Sequence, residues 1–151
     1  GSPATADPKK VAHEKPSRIL PVRVLVVDDD ASMRNVLIRI LQKHGFQTDV
    51  AADGFEAGVK LVQFNPDLVL LDLYMPGMDG FEVCKRIKEN PSTSRIKVLA
   101  VTGHDSRENR DRIMKAGADG YMTKPFETGK LFQEVEMFLW EPASPLAATA
   151  G

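Results

Sequence analysis

The sequence lacks the features that are typical of secreted, membrane-spanning or nucleic-acid-binding proteins. It has one cysteine in 151 residues, which excludes an internal disulfide and fits a reducing compartment. No apolar run approaches the roughly 18–20 residues of a membrane-spanning helix, and the first residues contain no apolar stretch that would indicate a signal peptide. The net charge of −1 offers no basic surface for a nucleic-acid backbone. We therefore predict one soluble, cytoplasmic domain that contacts neither nucleic acid nor membrane directly.

The two ends of the chain differ in composition from its middle. Residues 1–21 contain four prolines, several charges and almost no apolar periodicity, and residues 141–151 are rich in proline, alanine and serine. Such segments are typical of tails and linkers. We therefore expect a flexible N-terminal tail at residues 1–21, one domain at residues 22–140 and a flexible C-terminal tail at residues 141–151.

Between these predicted tails, short apolar runs alternate with segments of helical periodicity. The apolar runs predict strands at residues 22–28, 47–51, 68–72, 96–102 and 120–123. Apolar spacing predicts helices over residues 33–44 and 126–140. Asp53, Asp79 and Asp105 are each followed three residues later by glutamate, which predicts a helix N-terminus at each. The alternation indicates an α/β fold, a doubly wound five-stranded parallel sheet with five helices.

Polar side chains stand at the ends of four of the five predicted strands. They are Asp28, Asp29 and Asp30 after the first, Asp72 at the third, Thr102 at the fourth and Lys124 after the fifth. The ends of parallel strands share one edge of the sheet, so we expect these side chains to converge. Clustered carboxylates repel one another, and a hard divalent cation such as Mg²⁺ relieves that repulsion. With an ammonium and a hydroxyl beside them, the pattern indicates phosphoryl transfer with Asp72 as the nucleophile.

Each of these residues also has a purely structural interpretation. An aspartate after a strand is commonly a helix cap or a turn former, and we expect this role for Asp30. A single aspartate, threonine or lysine at a strand end would indicate no chemistry by itself. It is the combination of acids after the first and third strands, a hydroxyl after the fourth and Lys-Pro after the fifth that favours a functional site.

Four motifs in this order resemble the receiver domain of two-component response regulators, and of chemotaxis regulators among them. They are VLVVDDD at residues 24–30, LLDLYMPGMDG at 70–80, VTG at 101–103 and GADGYMTKPF at 117–126. The similarity extends over residues 22–140. It implies a flavodoxin-like fold and a protein that accepts a phosphoryl group rather than a conventional enzyme, with self-phosphorylation from small donors and autodephosphorylation as its only reactions.

The resemblance also implies a metal site. Asp72 corresponds to the phosphoacceptor, and Mg²⁺, or Mn²⁺ in its place, would be bound by Asp29, Asp72 and the backbone carbonyl of Tyr74. Asp28 would act through a metal-bound water.

Further residues correspond to the family's phosphoryl-binding and switch positions. Lys124 would pair with the phosphoryl group, and Thr102 would reorient to hydrogen-bond it. Gly103 would leave room for the incoming group, and Tyr121 would change rotamer with the state of Thr102. A cis bond between Lys124 and Pro125 is usual in the family.

The implied partners are a histidine kinase or phosphotransfer protein, and a downstream output protein or domain. The output would bind the face formed by helix four, strand five and helix five. Gly120 stands where the family's DNA-binding, dimerising branch has an acid, which argues against that particular dimer.

The bulky Tyr74, two residues after the acceptor, is predicted to overhang the site and to modulate the lifetime of the phosphoryl group. Cys84 is expected to be a core residue, and the histidines have no metal-ligand spacing. Leu131, Val135, Phe138 and Leu139 form a core stripe on the last helix. Three further apolar residues of that helix are expected to be partly exposed, either as scattered surface groups or as a partner surface: Phe132, Met137 and Trp140.

Two other functions stay open at this level. A receiver-like module could serve for interaction alone, without phosphorylation, although such modules typically lack one of the site residues. A phosphatase of the haloacid-dehalogenase type also uses a strand-end aspartate and Mg²⁺, and Asp28 and Asp30 have the required spacing. Ser32 is atypical for that motif, and the chain is short for such an enzyme.

Overall fold

The computed structural model describes residues 21–77 and 79–139. The predicted tails, apart from Pro21, and residues Met78 and Trp140 therefore lie outside this description. Five strands alternate with five helices. In chain order they are β1 Arg23–Val27, α1 Ala31–Lys43, β2 Gln47–Ala51, α2 Gly54–Gln63, β3 Leu68–Leu71, α3 Gly80–Glu89, β4 Lys97–Thr102, α4 Arg107–Lys115, β5 Gly120–Thr123 and α5 Thr128–Leu139.

All strand pairs are parallel, and the order in the sheet is β2-β1-β3-β4-β5. Alternate residues of each strand face opposite sides. Leu25 and Val27 pack into the core beneath α2, α3 and α4, whereas Val24 and Val26 pack beneath α1 and α5. The predicted doubly wound α/β fold is confirmed. The strand order reverses between β1 and β3, which places a crevice beyond the carboxyl ends of these strands.

The helix caps agree with two of the three predicted aspartates. Asp53 accepts a hydrogen bond from the backbone N–H of Glu56 at 2.8 Å, and Asp79 accepts one from Glu82 at 2.9 Å. The prediction for Asp105 is wrong. Because α4 begins at Arg107, Ser106 stands at the N-cap position and accepts from the N–H of the third helical residue. The Asp105 carboxylate instead accepts from the hydroxyl of Tyr121.

The start of α5 is also later than predicted, at Thr128 rather than residue 126. Phe126 belongs to the loop after β5 and packs on the core that α5 covers. Leu131 and Val135 are buried, Phe138 and Leu139 are partly buried, and Met137 is 56% exposed. Phe132 is partly exposed, and its ring lies 3.7 Å from that of His44 between ring centres. The expected stripe and both of the expected exposed groups on the described part of this helix are therefore found.

Cys84 is a buried core residue of α3, as predicted. Burial raises the pKa of its thiol to about 11, so the group stays protonated at neutral pH. No helix in the described ranges is long and apolar enough to cross a membrane.

Candidate functional site

Three carboxylates meet at the carboxyl edge of the sheet. Oxygen atoms of Asp28, Asp29 and Asp72 all lie within 4.8 Å of one another. Asp28 and Asp72 are buried, with exposed fractions of 3% and 7%, whereas Asp29 faces solvent. The strand ladder continues to the site, since the N–H of Asp72 donates to the carbonyl of Val27 at 2.9 Å and the N–H of Asp28 donates to that of Ala51 at 3.1 Å. The two buried acids are therefore fixed by the sheet itself.

Lys124 brings a positive charge to this cluster from the end of β5. Its Nζ lies 2.6 Å from Oδ2 of Asp28 and 3.9 Å from Oδ1 of Asp72. The Lys124–Pro125 peptide bond is cis, and the N–H of Lys124 donates to the carbonyl of Thr102 at 2.8 Å. The ammonium group thus contacts both buried carboxylates, and its stronger contact is with Asp28.

The carboxyl group of Asp72 has an unusual proton affinity. Burial is the main cause that raises its pKa from 3.8 to about 6, and the neighbouring charges of Asp28 and Asp29 contribute to the rise. The Lys124 ammonium and a hydrogen bond from the backbone N–H of Tyr74 oppose this rise. A cation placed among the three acids would relieve both the desolvation and the repulsion, and carboxylate oxygens are the donors that Mg²⁺ prefers.

Asp30 and Arg34 hold Asp28 in place. The N–H of Asp30 donates to Oδ1 of Asp28 at 2.9 Å, and Nη1 of Arg34 donates to the backbone carbonyl of Asp28 at 2.8 Å. The side chain of Asp30 caps α1, as expected, by accepting from the N–H groups of Ser32 and Met33. The sequence reasoning missed Arg34. Its place one turn into α1, four residues after Asp30, was the available signal.

Thr102 is the last residue of β4, and Gly103 follows it. Thr102 is fully buried, and its Oγ1 accepts a hydrogen bond from the N–H of His104 at 3.0 Å. Gly103 is exposed, and a Cβ atom added to it would meet no atom within 4 Å. A side chain at this position would therefore meet open space, and the conformation shown does not itself require glycine there.

Tyr121 and Tyr74 both contact α4 or the loop before it. The hydroxyl of Tyr121 donates to Oδ1 of Asp105 at 2.9 Å, and the guanidinium of Arg110 lies 4.9 Å from the centre of its ring. Burial, followed by the hydrogen bond to Asp105, raises the pKa of the Tyr121 phenol. This bond holds the ring toward the start of α4.

Tyr74 also reaches toward α4. It is 41% exposed, its hydroxyl donates to Oδ1 of Asn109 at 2.8 Å, and its ring lies edge-on to His104 with 4.6 Å between ring centres. His104 itself is in the loop before α4, as predicted. Asn109 was missed by the sequence reasoning, and no local pattern marks it, because its partner lies 35 residues away in the chain.

Comparison with known proteins gives a consistent result. The family model of the response regulator receiver domain matches residues 24–136. The phosphate regulon transcriptional regulatory protein PhoB of Rhizobium meliloti is 34% identical over 117 residues, which are 78% of this chain and 52% of PhoB. Response regulator MprA of Mycobacterium sp. (strain KMS) is 38% identical over 120 residues, 80% of this chain and 51% of MprA. The chain thus spans about half the length of the curated relatives it matches.

Solved structures agree in both sequence and shape. The chemotaxis protein CheY4 of Vibrio cholerae is 32% identical with a TM-score of 0.76, over 80% of this chain and all of CheY4 (100%). A CheY-like receiver domain protein of Methanospirillum hungatei is 30% identical with a TM-score of 0.75, over 80% of this chain and 94% of that protein. With its five-stranded parallel sheet and the acidic cluster at the carboxyl edge, the chain belongs to the receiver domain family of two-component response regulators.

Proposed function

We propose that this chain is a phosphorylation switch in which Asp72 accepts a phosphoryl group from a histidine kinase or phosphotransfer protein. The observation that carries the proposal is the position of Asp72. Asp72 and Asp28 are the two buried acids of the cluster, but Asp28 already accepts from the N–H of Asp30 at one oxygen and lies 2.6 Å from the Lys124 ammonium at the other. Asp72 lies 3.9 Å from that ammonium and is the buried acid that can react beside it. A carboxylate in that setting can act as a nucleophile, because the negative charge of the phosphoryl group that it receives would lie beside the Lys124 ammonium.

Mg²⁺, or Mn²⁺ in its place, fits the donor set of the site. Asp29 and Asp72 would bind the ion directly with the backbone carbonyl of Tyr74, and Asp28 would bind through water. The exposed position of Asp29 leaves the cluster open to solvent on that side, which suits an ion that retains several waters. When bound, the ion supplies charge neutralisation between the carboxylates and the phosphoryl oxygens.

In the transfer step, a carboxylate oxygen of Asp72 forms a bond to phosphorus while the bond to the donor's leaving atom breaks. The Lys124 ammonium would bind a phosphoryl oxygen, for which it must loosen its contact with Asp28. The Thr102 hydroxyl would donate to a second oxygen, and Gly103 provides open space beside it. The acyl phosphate carries about −1.5 to −2 charges in place of the single negative charge of the carboxylate, and its oxygens are acceptors for both groups.

The output of the switch would be read on the face formed by α4, β5 and α5. A cavity of about 500 Å³ opens there, and Arg110, Tyr121, Phe126 and Lys130 are among its lining residues. Tyr121 connects this face to the site, because its hydroxyl is bound to the loop that follows Thr102. We infer that a downstream protein or domain binds here and that phosphorylation changes the rotamer of Tyr121.

Tyr74 remains our candidate for a residue that modulates the lifetime of the phosphoryl group. Its ring lies at the rim between the loops that follow β3 and β4. We expect Tyr74→Asn to change the rate at which water hydrolyses the acyl phosphate. An unchanged lifetime would show that the ring has no part in it.

The central test is intact-mass spectrometry after treatment with acetyl phosphate and Mg²⁺. We expect wild type to gain one phosphoryl group and Asp72→Asn to gain none. Asp111→Asn, which removes an exposed acid of α4, is the matched control and should be modified like wild type. An unmodified wild type would refute the proposal and favour a module that serves for interaction alone.

The phosphatase alternative is disfavoured by the position of Asp30, whose carboxylate caps α1 and is directed to the N–H groups of that helix. Turnover of a general phosphomonoester that is lost in Asp28→Asn and kept in Asp72→Asn would revive it. A cytoplasmic location, where kinase and output would meet the chain, is part of the proposal.

A further inference from the structure

The side chain of Asn109 joins two loops of the candidate site. Its Oδ1 accepts from the hydroxyl of Tyr74 at 2.8 Å, and its Nδ2 donates to the backbone carbonyl of His104 at 2.7 Å. Tyr74 is two residues past Asp72, and His104 is two residues past Thr102. Asn109 is half-buried, whereas the other residues from 107 to 112 are exposed. One amide therefore connects the loop of the acceptor with the loop of the hydroxyl.

A ring contact closes this arrangement. The His104 ring lies edge-on to the Tyr74 ring, with 4.6 Å between centres and 66° between planes. We call Tyr74, His104 and Asn109 the loop clasp. The N–H of His104 also donates to Oγ1 of Thr102 at 3.0 Å. His104 is thus held through its carbonyl and its ring, and it holds the hydroxyl of Thr102 in turn.

This geometry opposes a movement that the proposed function requires. Thr102 must turn its hydroxyl toward a phosphoryl group on Asp72, and the loop after β4 must adjust as the bond from the His104 N–H is lost. While the clasp is closed, that loop is tied to both α4 and the ring of Tyr74. The free energy of the loop-clasp contacts therefore adds to the free energy needed to reach the phosphorylated conformation.

We propose that Asn109 is a positioning residue of the phosphoryl site, which holds the two loops in the unphosphorylated arrangement and so slows phosphoryl transfer to Asp72. The inference rests on the proposed function. Asn109 acts through Tyr74 and His104 and touches neither the acidic cluster nor the incoming group.

The role of Asn109 in the loop clasp is separable from its role in the helix. Its backbone N–H donates to Oγ of Ser106 at 3.0 Å, and this cap does not depend on the side chain. Alanine is also the best helix former. Asn109→Ala therefore removes both amide contacts and leaves α4 intact.

The test compares rates of phosphorylation by acetyl phosphate with saturating Mg²⁺, followed by intact-mass spectrometry. One net hydrogen bond corresponds to a factor of about 2 to 10. Asn109→Ala removes two such bonds, so we expect it to react at least about 2 to 10 times faster than wild type. Tyr74→Phe should also react faster. Adding it to Asn109→Ala should change nothing further, because both changes break the same bond. Asp111→Ala, an exposed residue of the same helix, should react at the wild-type rate.

The outcomes separate this inference from the proposed function. If wild type is never modified on Asp72, the proposed function fails. If wild type is modified and Asn109→Ala reacts at the same rate or more slowly, Asn109 has no such role. The inference is equally wrong if the effects of Tyr74→Phe and Asn109→Ala on the rate multiply in the double variant, or if Asp111→Ala accelerates the reaction as much as Asn109→Ala does. Urea unfolding serves as a check, since a merely structural residue would change stability and leave the rate unaffected.

Discussion

Replacing Asp72 by asparagine should make the unphosphorylated fold more stable at neutral pH and should leave it nearly unchanged in acid. The carboxyl group is 7% exposed, and its pKa is raised from 3.8 to about 6 by burial and by two neighbouring acids. Asparagine has nearly the same shape as the protonated carboxyl group and does not ionise. The substitution therefore removes the cost of holding a charge in this position.

The size of the effect follows from the two pKa values. The folded chain binds the proton more tightly than the unfolded chain, so the stability of wild type falls as pH rises from 3.8 through about 6. The difference of about two pH units corresponds to about 3 kcal/mol once the group is ionised in both states. By the same relation, the destabilisation caused by the Asp72 charge is only about 0.5 kcal/mol near pH 4. Relaxation of the loops reduces the upper value, so we expect a gain of roughly 2–3 kcal/mol above about pH 7.

Urea denaturation of both proteins between about pH 4 and pH 8, without divalent cations, measures this gain directly. The difference in unfolding free energy should grow through the window and then stay level. Asp111→Asn controls for the loss of one exposed negative charge. A difference that does not depend on pH, or a variant less stable than wild type near neutral pH, would show that the carboxylate of Asp72 is not destabilised by its surroundings.

Three further changes test other parts of the structure. Lys124→Met removes the ammonium that lowers the pKa of Asp72, so an NMR titration should find that pKa above about 6. A lower pKa would contradict the proximity of the Lys124 charge to Asp72. A Cβ on Gly80 would overlap the backbone carbonyl of Asp72, so Gly80→Ala should lower the free energy of unfolding in urea by about 1–3 kcal/mol. A decrease below about 0.5 kcal/mol would show that the loop moves to make room for the methyl group. A Cβ on Gly120 would overlap the ring of Phe138, so Gly120→Ala should lower the midpoint of thermal unfolding. Adding Phe138→Leu to that variant should restore part of the midpoint. If it restores none, the overlap with Phe138 is not the cause of the loss.

Metal binding provides a fifth prediction. Mg²⁺ should raise the stability of wild type near pH 8 and do so much less below about pH 5, because the ion needs Asp72 without its proton. Thermal unfolding with and without Mg²⁺ measures the difference. Equal stabilisation at both pH values would mean that the ion binds somewhere else.

The sheet and the cluster of acids could be predicted from the sequence because both follow from short-range signals. A strand such as β3, buried along its whole length, appears as an uninterrupted apolar run, and parallel pairing brings its end beside that of β1. The convergence of Asp28, Asp29 and Asp72 then requires no knowledge of side-chain conformation. The contact of Lys124 with Asp28, in contrast, depends on the path of the chain after β5, which the sequence alone did not determine.

The error at Asp105 shows where short-range signals end. Its spacing to the following glutamate is the same as at Asp53 and Asp79, yet Ser106 caps the helix. What differs is Tyr121, which lies 16 residues further along and binds the Asp105 carboxylate. A residue with two available partners takes the one that the tertiary structure brings to it, and the neighbouring hydroxyl then serves as the cap.

The same reasoning applies to the loops above the sheet. The bond between Tyr74 and Asn109 joins residues 35 apart, and neither has a local pattern that predicts the other. The acidic cluster lies in positions set by the strands, whereas the loops around it are held by side chains such as these. A substitution at Asn109 can therefore change how the two loops are coupled while every carboxylate of the cluster stays where the strands place it. If Asp72 accepts a phosphoryl group, as we propose, the rate of that transfer should respond to Asn109 although the acidic cluster is unchanged.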